Sequence, residues 1–456
     1  MGPVTGGGNL LARAVCRAGP ACFPVVMATG IVSSALRQAG QPSLSAALLV
    51  IAVAVFVILL AGSAVRAVAF PASLRADLSR PDRAFTSFAF VASCGVLGDR
   101  LASGGYRLPA AMAAGAALAA WLGVTGLVPA RLAVRRPPPR LADVNGTWYL
   151  WAVGTQSLAI AAVFLHDVGM LPAGPAALAA ITAWSAGIAL YLVITVLVAG
   201  RLLLVGVGPG DATNPYWVAM GAASIAVVAA AGILGIPGAP ARAAITGLAV
   251  ALWSVATVLI APLATATAAR YLRRPVRPRY RVDMWTVVFP LGMYAMAGLQ
   301  LGSTAPLPLV DHIGAVAVPC ATAAWVLTFI GLATSSLDRR HASEDSKETI
   351  SRYDRRKDEP PGPGRDRLTQ GGDEVEEENE AVQVPGSGQV RSARRRHRGG
   401  DAARADPPHG GTSPSPRHWR QQALQRSDYP WRHRKRVPAG RRRGHPAAGG
   451  PRRGRD

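Results

Sequence analysis

The residues able to hold or steer a polar ligand are sparse in this sequence, and they recur at intervals. "FPVVMATGIVSS", from Phe23, carries Thr29, Ser33 and Ser34, and "FAFVASCG", from Phe88, carries Ser93. "YLWAVGTQS", from Tyr149, carries Thr155, Gln156 and Ser157, and "YWVAMGAAS", from Tyr216, carries Ser224. Hydroxyls and amides in such apolar surroundings either permit close helix packing or line a polar path. Charges are rarer and sit at the ends of the apolar stretches: Asp99 and Arg100, then His166 and Asp167. They read as solvated loop starts, with the charges of an outer vestibule as the alternative. Reaction chemistry finds no support. The sequence has no HExxH and no Gly-x-Ser-x-Gly, and the Gly-rich "GVGPGDATNP" at 206–215 fails the spacing of a phosphate loop. Cys16, Cys22, Cys94 and Cys320 match no zinc or CxxC pattern and read as small apolar packing residues. No catalytic residue, no metal site and no cofactor is expected.

The elements that carry these residues are membrane helices. A span needs about 20 mostly apolar residues. Ten such runs occur, near 20–38, 44–66, 84–103, 109–131, 147–168, 175–200, 215–236, 243–268, 283–303 and 312–335. The first lacks a separate cleavage pattern and reads as a retained helix. Of the +23 formal charge of the 456 residues, 21 Arg against 9 Asp leave +12 in 1–338, where Lys and Glu are absent. The remaining 28 basic and 17 acidic residues leave +11 in 339–456. Arginines in the loops alternate, 17 on one side against four (Arg37, Arg100, Arg107 and Arg242) on the other. The positive-inside rule then puts both termini in the cytoplasm of a multi-pass protein of the cell membrane. An even number of spans requires the termini to share a side, in agreement with the charge bias.

The odd-numbered runs repeat. Aligned on Phe23, Phe88, Tyr149, Tyr216 and Trp285, they start 65, 61, 67 and 69 residues apart. The first column is aromatic throughout. The sixth is Ala28, Ser93, Gly154, Gly221 and Pro290, all small or helix-weakening. Of the even runs, 44–62 reads as uniformly aliphatic and 245–269 as nearly so, as suits lipid. The unit expected is a helical hairpin, five of them, with odd helices inside and even helices outside. "DMWTVVFPLGMYAMAG" puts Pro290 in the middle of the ninth run, where it removes a backbone hydrogen bond and bends a helix. Such a break is tolerable beside protein or a water-filled cavity. The fifth column is apolar: Met27, Ala92, Val153, Met220 and Phe289. If it faces inward it forms a dry girdle, with Thr29, Ser93, Thr155 and Ser224 as hydroxyls nearby.

"FPVVMATGIVS", "NGTWYLWAVGTQS" and "MWTVVFPLGMYA" resemble the signature segments of the tellurite-resistance/C4-dicarboxylate transporter family. That family includes plant slow anion channels, fungal malate permeases and sulfite exporters. The resemblance covers all ten runs, roughly 15–338. It implies an all-α integral membrane fold, ten transmembrane helices as five hairpins around a central pore, commonly trimeric. It also implies a role for Phe289: a phenylalanine beside the ninth-helix proline plugs the pore. Pro290 would shape the pore and aim Phe289 across it. A hydrated anion cannot shed its water there cheaply. The arm before Pro20 is short and offers no acidic partner for a phosphosite, so kinase gating is not carried over.

The expected organisation is a cytoplasmic arm at 1–19, a transport domain at 20–338 and a disordered, basic, low-complexity tail at 339–456, dispensable for transport. The expected partners are a small anion (C4-dicarboxylate, tellurite, sulfite or an inorganic anion), the lipid bilayer and further copies in a homotrimer, not nucleic acid. The absence of a mid-membrane acid in the first, seventh and ninth runs favours a passive or weakly coupled path. A membrane-embedded enzyme is the alternative, and it would need acids or histidines gathered at one membrane face. A membrane-tethered protein whose basic tail, "RSARRRHRGG" and "RHRKRVPAGRRRGHP", holds lipid or nucleic acid is the other.

Overall fold

A computed structural model describes residues 22–358, apart from Asp82, 207–213 and 274–279. Among the described residues the chain is helical, with no strand. The α-helices are α1 (Pro24–Gln38), α2 (Pro42–Ala69), α3 (Pro71–Leu78), α4 (Phe88–Ala102), α5 (Arg107–Ala133), α6 (Tyr149–Asp167), α7 (Ala173–Leu204), α8 (Trp217–Gly235), α9 (Arg242–Arg273), α10 (Trp285–Thr304) and α11 (Pro308–Asp358). Proline opens α1, α2 and α3, where its missing N–H costs nothing and its fixed φ suits a first turn. Gly40, Gly105, Gly169 and Gly238 have φ between 73 and 84°, and they turn the chain after α1, α4, α6 and α8.

Each of the ten apolar runs contains a helix, but eight helices among the described residues are long and apolar enough to cross a membrane. The exceptions are α1 and α4, of 15 residues each. At about 1.5 Å per residue they rise about 22 Å, short of a hydrocarbon core of about 30 Å. The short α3 was not anticipated. It docks on α2 through Arg66, whose Nη2 donates to Asp77 Oδ2 at 2.5 Å and to Ser73 Oγ at 2.8 Å. The arginine at this helix end is therefore a buried anchor as well as a topology signal. The backbone of α11 continues past the expected tail boundary at Asp338 to Asp358. Neither glycine nor proline interrupts 332–359, and Glu, Lys, Arg and Ala there favour helix. The rest of the tail, the arm before Cys22 and Cys16 lie outside the described residues.

Burial separates two layers. In α6, α8 and α10, 78, 89 and 72 % of the most apolar stretch is buried, against 17–33 % in α2, α5, α7, α9 and α11. The outer helices expose Ile58, Leu122, Val196, Val258 and Leu327. Each inner helix packs on the outer helix that follows it, and the inner helices touch in a closed cycle: α1, α4, α6, α8, α10 and back to α1. A glycine stands at every contact of the cycle. A methyl added to Gly30, Gly95, Gly232, Gly221 or Gly292 would lie 2.6–3.0 Å from Val96, Ser157, Val163, Pro290 or Ile31 of the neighbouring helix. Small residues let the backbones approach, and in lipid that packing drives helix association.

Candidate functional site

All five fifth-column residues are buried. Met27 and Phe289 are 1 % exposed, and Ala92, Val153 and Met220 are closed off entirely. Which way each points follows from its neighbours, since an α-helix turns about 100° per residue. Thr29 Oγ1 donates to Val25 O at 2.7 Å and accepts from the indole of Trp325, on outer helix α11, at 3.0 Å. Thr155 Oγ1 donates to Trp151 O and accepts from Trp121, on outer helix α5, both at 2.9 Å. Phe90 stacks on Phe56 of outer helix α2, ring centroids 5.9 Å apart. Met27, Val153 and Ala92 lie two residues from Thr29, Thr155 and Phe90, hence about 200° round the helix.

Phe289 obeys the same geometry. Gly298 meets the backbone of Gly314 on outer helix α11, where an added β-carbon would stand 2.6 Å from Gly314 Cα. Nine residues separate Gly298 from Phe289, a rotation of about 180°. The ring edge of Phe289 and the ring of Pro290 lie against Gly221 of α8, Phe289 Cε1 being 3.2 Å from a β-carbon placed there. Met220 adjoins that glycine. Pro290 does not interrupt α10, which is continuous from Trp285 to Thr304. Met27, Ala92, Val153 and Phe289 thus occupy faces turned away from the outer layer.

The hydroxyls depart from expectation. Thr29 and Thr155 are turned toward outer tryptophans, and they join inner helix to outer helix instead of lining a path. Ser93 Oγ donates to Ala89 O at 2.7 Å and to Phe23 O, just before α1, at 3.1 Å, and Ser224 Oγ donates to Met220 O at 2.9 Å. Both are engaged with backbone. Ser34 differs: 5 % exposed, its Oγ has no hydrogen-bond partner. It stands seven residues after Met27, on the same face.

The charges at the helix ends are not simple loop starts. Arg100 is 3 % exposed, and its guanidinium donates through Nε to Ser33 Oγ at 3.0 Å and through Nη2 to Ser45 Oγ at 2.8 Å. Arg37 Nη2 donates to Ser103 O at 2.8 Å. His166 Nδ1 lies 3.0 Å from Leu171 O, so that nitrogen carries the proton. Asp99 keeps access to solvent although Gly98 and Arg100 beside it are buried.

A second aromatic column went unread in the sequence. Outer helices α2, α5, α7, α9 and α11 each carry one ring that reaches the next inner helix of the cycle. Phe56 meets Phe90, and Trp253 stacks on Tyr294 at 6.0 Å. Trp121 donates to Thr155, Trp184 to Ala226 O at 2.8 Å, and Trp325 to Thr29. The signal was available as aromatics in the even runs, Phe56, Trp121, Trp184, Trp253 and Trp325, at intervals close to those of the inner repeat.

The comparisons with known proteins agree with this architecture. The sequence pattern of the voltage-dependent anion channel family matches residues 17–333. Two proteins of Mycobacterium tuberculosis, from strains CDC 1551 / Oshkosh and H37Rv, are each 41 % identical over 147 residues, 31 % of this chain and 75 % of theirs. Both are named as uncharacterized membrane proteins. The chain belongs to the voltage-dependent anion channel family and is a multi-pass membrane protein.

Proposed function

We propose that this chain conducts small anions across the cell membrane through the middle of the cycle of inner helices, with Phe289 as the gate. Ten helices, α1, α2 and α4 to α11, are embedded in this reading, as five hairpins, and the shorter α1 and α4 are shielded from lipid by the outer layer. Both termini are cytoplasmic, as the loop arginines indicate. The observation that carries the proposal is the face of Phe289: buried, about 180° from the contact with α11, with its ring edge on α8. Met27, Ala92, Val153 and Met220 complete an apolar girdle at that depth. An anion stripped of water finds no partner in such a ring, so the girdle is a barrier while Phe289 fills it. Thr29 and Thr155 are left out of the path, because their hydroxyls are held by Trp325 and Trp121.

The test is purified full-length protein in liposomes under an imposed voltage, with a panel of anions and no proton gradient. Phe289→Ala should raise anion flux about tenfold or more, equal to removing about 1.4 kcal/mol of barrier. A variant that conducts no better than the parent removes the gate. Flux that appears only with a proton gradient replaces the channel by a carrier.

A further inference from the structure

Asp99 reads in the sequence as a loop charge, yet its surroundings place it elsewhere. On α4 the side of Arg100 and Ser93 faces α1 and α2, through Ser33, Ser45 and Phe23 O. Phe90 faces α2. Gly98 faces α5 and α6, an added methyl meeting Phe164 at 2.7 Å and Ala113 at 3.3 Å, and Gly95 faces Ser157 of α6. One arc remains. It holds Ala92 and, seven residues on and so about 20° away, Asp99. Asp99 is about 180° from Phe90. Asp99, partly exposed between buried Gly98 and Arg100, lies on that arc, the one its neighbours leave toward the interior of the cycle. Ser34 stands at the same place on α1, seven residues beyond Met27, with its unpartnered hydroxyl. Among the described residues, Asp167, at the end of α6, and Arg100 act electrostatically on Asp99. Arg100 cannot swing over to neutralise it without leaving Ser33 and Ser45.

We infer that Asp99 is a specificity-determining residue of the anion path, one that admits monovalent anions and rejects divalent ones. The inference rests on the conduction proposed above and names its substrate class. Electrostatic cost scales with the product of the charges, so a fixed carboxylate that holds back a monoanion about tenfold holds back a dianion about a hundredfold. The Ser34 hydroxyl, able to donate a hydrogen bond, supplies an uncharged contact for a monoanion passing at that level.

The experiment compares parent, Asp99→Asn and Asp99→Glu, as full chains in liposomes, all with Phe289→Ala so that flux is measurable. Chloride and nitrate are set against sulfate and succinate at about pH 8, well above the ordinary carboxylate range. Asp99→Asn should lower the monovalent-to-divalent permeability ratio about tenfold, and Asp99→Glu should keep it. An Asn variant that conducts with the parent's ratio overturns the inference alone. Liposomes that pass no anion with either residue at 99 overturn the conduction proposal as well. Asp99→Cys guards against misfolding, because charge is then changed on assembled protein: an anionic thiol reagent should restore the ratio and a cationic one lower it further. Equal effects of the two reagents also overturn the assignment.

Discussion

A single apolar residue changes meaning with the face it occupies. Ala92 and Ala28 are both fully buried alanines on inner helices, yet only Ala92 stands opposite an outer-helix contact, the stack of Phe90 on Phe56. If Ala92 belongs to the girdle, enlarging it closes the ring further. Ala92→Phe should lower anion flux at least about tenfold in liposomes. Combined with Phe289→Ala, it should give a flux that the two single effects do not predict by addition, because side chains sharing one space couple. Additive effects would place the two residues apart. Thr29 and Thr155 make the converse point. Their type suggested a polar path, but their hydroxyls complete indole hydrogen bonds that would otherwise be lost in the membrane.

Between helices, close approach is set by what a β-carbon would strike. At Gly314 an added methyl would come within 2.5 Å of Leu299 N and 2.7 Å of Gly298 C, backbone atoms that cannot turn aside. Nothing lies within 4 Å of the same position on Gly115. Gly314→Ala should therefore cost about 1–3 kcal/mol through forced separation of α10 and α11. Gly115→Ala should leave stability unchanged or raise it by up to about 1 kcal/mol through helix propensity. Thermal unfolding of detergent-solubilised protein separates the two, and equal melting temperatures would contradict the packing described. The outer aromatics act at this level too. Each ties an outer helix to the inner helix of the next unit, and Trp325 joins the last unit to the first.

Across the whole molecule, the proposed orientation rests on the distribution of the loop arginines. Arg37 stands in the last turn of α1, while Arg277 lies between α9 and α10, outside the described residues. Cysteines introduced at Arg37→Cys and Arg277→Cys should react with impermeant thiol reagents from opposite sides of the membrane, the second from the cytoplasm. Labelling from one side for both would defeat the orientation. Arg66 and Arg201 count toward the cytoplasmic bias and also anchor loops: Arg66 binds Asp77, and Arg201 donates to the Tyr216 hydroxyl and to Ala142 O.

Hydropathy alone determined that the chain is a helical membrane protein and placed ten apolar runs, each of which holds a helix, because lipid leaves backbone polar groups no partner outside their own helix. The inner repeat was visible too, as an aromatic first column and a sixth column of small or helix-weakening residues. Loop arginines carried the expected orientation, and nothing more was needed to propose it. The sequence did not tell the two faces of an inner helix apart. Thr29 against Met27, or Phe90 against Ala92, differ by two residues, and either face could have been the inner one. Only the tertiary structure decided it, by putting Trp325, Trp121 and Phe56 on one side. The same holds for Asp99: near a helix end in sequence it reads as a loop charge, and only the packing of α1, α2, α5 and α6 around α4 leaves it the interior arc.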